Sequence, residues 1–277
     1  TYVLRQIALM VLMASAYFSG LPMDAVTTMA VTFITIWACT LGQLFVLNRR
    51  LRPVIGAGPK TYAARTWLNT ALPISLVEGF YVLVTYCDVI VLTQFRPPEE
   101  VATYYAAAKI MALVAFIYFA VAQTVAHKFT EIDVSGDQKR LTEFMAHAIR
   151  MTFWPTLAMV VIFLALGEPL LRMYGKDFTG GYHLMFILAI GLLARAAVGP
   201  VERLLNMLGE RRNCAYVYAG SFLLNLLICV LLIPRFGING AAIASACTMM
   251  FESVCLFLVA KFRLGVHCLV FGAPGDR

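Results

Sequence analysis

The sequence predicts an all-α, polytopic membrane bundle of about eight transmembrane helices, and three observations carry that prediction. Of 277 residues, 61% are hydrophobic and only 13% charged, with a mean hydropathy of +0.81. A soluble domain is roughly half apolar and about a quarter charged. The apolar residues lie in long blocks, and a helix that spans a bilayer needs about 20 of them in succession. The breaks between blocks, "GLPMD", "NRRLRPVIGAGPK", "RPPEE", "EIDVSGDQKR", "YGKDFTGG", "LGERRN" and "PRFGING", carry proline, glycine or charge, as helix punctuation does.

In chain order the spans fall at about 2–20, 24–47, 68–95, 101–126, 151–173, 182–201, 214–233 and 239–260. The first imitates a secretory signal, with Arg5 ahead of an apolar core and small residues. Seven further apolar segments follow it, and a chain that opens at Thr1 inside a helical pattern reads as truncated. The stretch 48–67 holds Arg49, Arg50, Arg52, Lys60 and Arg65, no acidic residue, and "PVIGAGPK" at its middle. It reads as a basic cytoplasmic linker between two bundles. Two helices precede it and six follow, so 68–263 reads as one complete six-helix lobe, 1–47 as the remnant of another, and 264–277 as a tail.

Orientation comes from lysine and arginine alone. Arg5, the five basic residues of the linker, Lys128, Lys139, Arg140, Arg150, Arg203, Arg211, Arg212, Lys261, Arg263 and Arg277 lie in one set of alternate loops and ends. The opposite set has only Arg96, Arg172, Lys176 and Arg235. The first set is therefore expected to face the cytoplasm, with both chain ends. The formal charge of +7 is then topological, and no aromatic-interleaved basic stretch points to nucleic acid. The 7 cysteines form no CxxC and lie mostly in apolar runs, as free thiols do; the 4 histidines are scattered, so no metal site is expected. There is no glycine-rich phosphate loop, nucleophile elbow or HExxH, which leaves no catalytic residue and no cofactor to assign.

What remains are ionisable side chains inside the spans. Each costs roughly 2.5–3.5 kcal/mol at a helix centre on insertion scales and usually faces a bundle interior or a water-filled cavity. In "TYCDVIVLTQFRPPEEVATYYAAAKI" an aspartate and a lysine flank a short turn. At 100° per residue, Tyr81, Thr85 and Asp88 form one stripe of the third span, with Glu78 at its edge. Tyr105, Lys109 and Gln123 share a face of the fourth; Arg195, Glu202 and Asn206 share one of the sixth. The seventh offers Tyr218, Ser221 and Asn225, and the eighth Ser245, Thr248 and Glu252. Asp88 and Lys109 are expected at similar depth, either as an ion pair that locks the hairpin or as members of a charge-binding cavity. Arg195 with Glu202 presents the same choice. Glu78 and Glu252 have no basic residue at their own depth, which makes them candidate proton or cation sites. The run "GINGAAIASA" has the small-xxx-small spacing that lets helices approach closely.

"YCDVIVLTQF…EEVATYYAAAKI", "LALGEPLLRMYGKDFTGGYHLMFILAIG" and "VERLLNMLGERRNCAYVYAGSFLLNLLICVLLIPRFGINGAAIASA" together resemble the polysaccharide flippases of the MOP (multidrug/oligosaccharidyl-lipid/polysaccharide) superfamily. The resemblance runs from about residue 68 to 263. It implies twelve helices in two six-helix lobes around a central cavity, and alternating access of a lipid-linked oligosaccharide across a bacterial cytoplasmic membrane. On that basis 68–263 is the C-terminal lobe and 1–47 the last two helices of the N-terminal lobe. Eight spans in place of twelve is a departure from that pattern. The resemblance implies a cationic cavity for a pyrophosphate or acidic sugar, with Lys109 and Arg195 as anion contacts. Tyr81 and Tyr105 would stack on sugar rings and Asn225 would contact substrate; Asp88, Glu78 and Glu252 would serve coupling to H+ or Na+, or ion pairing. The partners implied are the lipid-linked substrate and membrane lipid. A multidrug or cation antiporter of the same superfamily should instead have a carboxylate-dominated cavity. A membrane-embedded polysaccharide polymerase or ligase should have a large external loop, and the external breaks here are short.

Overall fold

The computed structural model describes residues 2–20, 22, 24–51, 62–135 and 138–265. The middle of the expected linker and nearly all of the expected tail lie outside these residues. The described chain is helical throughout, and seven helices are long and apolar enough to cross a membrane. It is a multi-pass membrane protein. The chain divides into two compact units, one up to Ala63 and one from Ala64 onward.

The first unit pairs α1 (Tyr2–Phe18) with α2 (Ala25–Leu51). The first expected span is the short one: α1 has 17 residues, about 26 Å at 1.5 Å per residue, and falls just below the length of the seven candidate spans. Asp24 opens α2 by accepting the Thr27 N–H at 2.8 Å. That bond holds the exposed carboxyl below its ordinary range, so its support for the helix start is present at neutral pH. The support is lost on acidification, as pH falls through the lowered value. A groove of about 860 Å³ runs along these two helices, lined mainly by apolar and small residues.

The second unit begins with α3 (Ala64–Phe95), which Arg96 and Pro97 connect to α4 (Pro98–Ala112). Pro98 suits the first helical position, where no N–H partner is needed, and Glu99 and Glu100 sit favourably at the helix N-terminus. Arg96 ties this turn to a segment distant in sequence through the carbonyls of Ile233 and Pro234, both at 3.4 Å. After Ala112 the helix tightens: the N–H groups of Leu113, Val114, Phe116 and Ile117 bond carbonyls three residues back. This 3₁₀ turn separates α4 from α5 (Ala115–Ser135). Tyr105 and Lys109 therefore do not share a continuous face with Gln123.

The remaining elements are α6 (Gln138–Ala165), short α7 (Gly167–Arg172), a 3₁₀ turn (Lys176–Gly181), α8 (Tyr182–Val198) and α9 (Val201–Met207). They are followed by α10 (Arg211–Phe236) and α11 (Ile238–Leu264). The fifth expected span, about 151–173, thus starts earlier and ends at Ala165. The sixth, about 182–201, stops at Val198, because Gly199 turns the chain at φ 67° and packs where a Cβ would meet Ile149 at 2.7 Å. Arg195 consequently lies on a different helix from Glu202 and Asn206.

Around α11 the unit is tightly built, with α10 packed on α3 and α11, and α8 on α11. The small residues of "GINGAAIASA" make this closeness feasible. A Cβ on Gly240 would lie 2.6 Å from the Leu232 carbonyl oxygen, and one on Gly191 would lie 2.9 Å from the Ala246 Cα. Outward-facing positions such as Leu223, Val254 and Phe262 are apolar and exposed, as a lipid-facing surface requires.

Candidate functional site

Six helices of the second unit, α3, α4, α5, α8, α10 and α11, line a cavity of about 170 Å³. Among its lining residues are Tyr81, Asp88, Tyr105, Lys109, Arg195, Asn225 and Glu252. Thus seven of the eight residues singled out from sequence share one space. Glu78 does not line it: ten residues before Asp88, it sits about 80° off that stripe at 100° per residue, and it is exposed.

The first cluster is centred on Asp88, which is 7% exposed. The Tyr104 hydroxyl donates to its Oδ2, Ser245 Oγ donates to the same oxygen at 2.7 Å, and the Val89 N–H donates to Oδ1 at 2.7 Å. The Tyr104 and Ser245 oxygens are 3.2 Å apart. Asp88 and Lys109 form no ion pair, and helix length explains why. Asp88 lies about 10 Å below the end of α3, whereas Lys109 lies about 16 Å from the start of α4. The residue at the depth of Asp88 is Tyr104, about 9 Å down α4.

Lys109, half-buried, instead stands over two aromatic rings, its Nζ 4.9 Å from the Tyr105 centroid and 5.5 Å from that of Tyr86. Both rings are about two-fifths exposed, so this cation stands at the open side of the cavity. Cation–π contacts hold a charge without neutralising it. Lys109 is therefore positioned and yet available to an anion.

Arg195 forms the second cationic point. Its Cζ lies 4.9 Å from the Tyr118 ring centroid and 5.5 Å from that of Tyr81, while Nη2 is 3.4 Å from Glu252 Oε1. Glu252 thus has a basic partner after all, and the expected pairing of Arg195 with Glu202 does not occur. Glu252 on α11 supplies the carboxylate that the Gly199 turn carries away from Arg195. Glu202 is instead held by the Tyr218 hydroxyl at 3.0 Å and by Asn206 Nδ2 at 3.2 Å. Tyr218 in turn stands edge-on to Tyr81, with centroids 5.9 Å apart. Asn225 Oδ1 accepts from Cys229 Sγ at 3.0 Å, leaving its amide N–H₂ for other partners.

Sequence reading missed Tyr86, Tyr104 and Tyr118 as site residues. Tyr104 had a signal in its register: it is the α4 residue level with Asp88. No pattern pointed to Tyr118, which reaches Arg195 from beyond the α4–α5 break. The cavity is smaller than the roughly 300–1,000 Å³ usual for ligand pockets. It has room for about five waters at ~30 Å³ each, or for a small charged group.

No family model matches the chain. It is similar to the "Probable low-salt glycan biosynthesis flippase Agl15" of Haloferax volcanii, with 24% identity over 186 residues. The match covers 65% of this chain and 38% of that relative, so the chain spans about two-fifths of the relative's length.

Proposed function

We propose that the protein moves a lipid-linked, anionic glycan precursor across the cell membrane by alternating access, as a transporter with no covalent chemistry of its own. The observation that carries this reading is the pairing of two cations, Lys109 and Arg195, in one aromatic-walled cavity within a membrane-spanning bundle. Similarity to a protein named as a glycan flippase supports it. A diphosphate headgroup matches a planar guanidinium and a point-charge ammonium, and tyrosine rings suit the apolar faces of sugars. The lipid tail would run in the bilayer beside the open side of the cavity.

In this reading the chain belongs with the polysaccharide flippases of the MOP superfamily, with the part after the basic linker as a C-terminal lobe. The part up to residue 47 is then the end of an N-terminal lobe. Both chain ends face the cytoplasm, following the basic loops. The similar protein is archaeal, so the membrane is proposed as the cell membrane in general. Because 170 Å³ holds a headgroup and not a glycan, the cargo requires the cavity to widen. The 3₁₀ turn between α4 and α5 is the natural place for bending, since such mid-helix turns often mark hinges.

A cation antiporter of the same superfamily is the second reading, favoured by Asp88, a buried carboxylate with no basic partner. We assign that group to coupling instead: a proton or Na+ at Asp88 would be exchanged or co-transported with the glycolipid. The two readings separate in proteoliposomes loaded with a fluorescent polyprenyl-diphosphate glycan, with flipping followed by a membrane-impermeant quencher. Acceleration over protein-free vesicles is expected for the glycolipid and not for a hydrophobic organic cation. Movement of the cation alone would overturn the proposal.

A further inference from the structure

Arg195 is poorly satisfied for a buried guanidinium. It has five N–H donors, yet it stands over the rings of Tyr81 and Tyr118, which attract charge but offer no directional acceptor. Its one carboxylate neighbour, Glu252, approaches to 3.4 Å. Neither Nη2 nor Oε1 has a hydrogen-bond partner among the described residues. The contact is therefore Coulombic and lacks the bidentate geometry that makes arginine–carboxylate pairs strong. Asp88 is the opposite case, since three donors already engage it.

The two groups also differ in access. The Glu252 side chain is 3% exposed and that of Arg195 16%, and both line the cavity. A carboxylate that touches the arginine loosely, inside the cavity that an anion must enter, is a competitor for that anion. We infer that Glu252 acts as an internal anion at Arg195, and that a phosphate or diphosphate group binds this subsite by displacing it. The inference rests on the reading of the protein as a carrier of an anionic lipid-linked glycan and makes the site exchange-type. Incoming phosphate replaces a built-in carboxylate, and the carboxylate returns when the cargo leaves. Glu252 is thus a specificity-determining residue. It admits groups that outcompete a single carboxylate at a guanidinium fork, such as a diphosphate, and rejects weaker anions.

The test is titration of the full chain, held in phosphatidylcholine nanodiscs, with inorganic pyrophosphate. Glu252→Gln removes the competing charge and keeps the volume; it is expected to bind about tenfold more tightly than wild type, which corresponds to the pair being closed about nine-tenths of the time. In Arg195→Gln/Glu252→Gln the gain should vanish. Should Glu252→Gln fail to fold, Glu252→Asp retracts the carboxylate by one methylene and is expected to bind several-fold more tightly. An unchanged affinity in the folded single variant would overturn the inference. So would a double variant that keeps the gain, which would place the effect in the general cavity potential around Lys109. Repeating the titration with a polyprenyl diphosphate in the disc separates the sources: a gain for both ligands supports a lipid headgroup, and a gain for pyrophosphate alone supports a free anion at the same subsite. Loss of glycolipid flipping with intact Glu252-dependent binding would count against the transport reading and not against this one.

Discussion

Replacing Lys109 with alanine is expected to slow flipping of a diphosphate-linked glycan by about 30- to 150-fold. This is the loss of one charge-assisted contact of about 2–3 kcal/mol. The protein should nevertheless remain folded. The ammonium stands over Tyr105 and Tyr86 and pairs with no carboxylate, so its removal leaves no unpaired charge behind. The stability cost is a cation–π contribution of about 0.5–1 kcal/mol at a partly exposed site. The check is flipping rate in proteoliposomes beside thermal unfolding in detergent. A rate within threefold of wild type would remove Lys109 from the transport path. Lys109→Arg keeps the charge and should retain a measurable rate.

Arg195 is expected to behave differently, because its removal exposes a structural debt as well as a functional one. Arg195→Leu leaves the Glu252 carboxylate, 3% exposed at its side chain, without a cation. Breaking a buried pair from one side costs about 3–5 kcal/mol, whereas replacing both members by apolar residues is often neutral or stabilising. The single variant should therefore unfold well below wild type, and Arg195→Leu/Glu252→Leu should recover most of the loss. Both should be inactive in flipping, since the guanidinium is gone in each. A double variant whose loss equals the sum of the losses of Arg195→Leu and Glu252→Leu, each measured singly, would mean that the 3.4 Å approach carries no coupling. The measurement is a double-mutant cycle on unfolding midpoints.

The bundle was legible in the sequence because a bilayer imposes its length on every apolar run. The stripe Tyr81–Thr85–Asp88 was legible because helical periodicity fixes which residues share a face. What could not be read was the continuity of helices and the direction in which faces point. "MALVAFIY" contains neither proline nor glycine, so nothing local announced the 3₁₀ turn that parts α4 from α5. Gly199–Pro200 did carry a breaker signal, yet the apolar run continued past it, and Arg195 and Glu202 were placed on one helix. The partner of Glu252 was invisible for a further reason. Arg195 and Glu252 are brought together by α8 packing on α11 through Gly191 and Ala246. That close approach depends on which helices are neighbours, and periodicity says nothing about neighbours. Depth arithmetic placed Asp88 and Lys109 together because it began α4 at residue 101. The helix begins at Pro98, one turn of chain earlier, and that shift brings Tyr104 level with the carboxylate.

Whether the glycolipid passes through this cavity is tested most directly by photo-crosslinking from its open side. A photoactivatable residue at Tyr105, with a second at Leu223 on the apolar outer surface of α10, would be illuminated in membranes that contain a radiolabelled polyprenyl-diphosphate glycan. The expected result is a labelled adduct at position 105 that is competed by unlabelled glycolipid and reduced by Lys109→Ala, with only uncompeted background at 223. Equal, uncompeted labelling at both positions would contradict it, since the site would then be meeting bulk lipid and not a cargo.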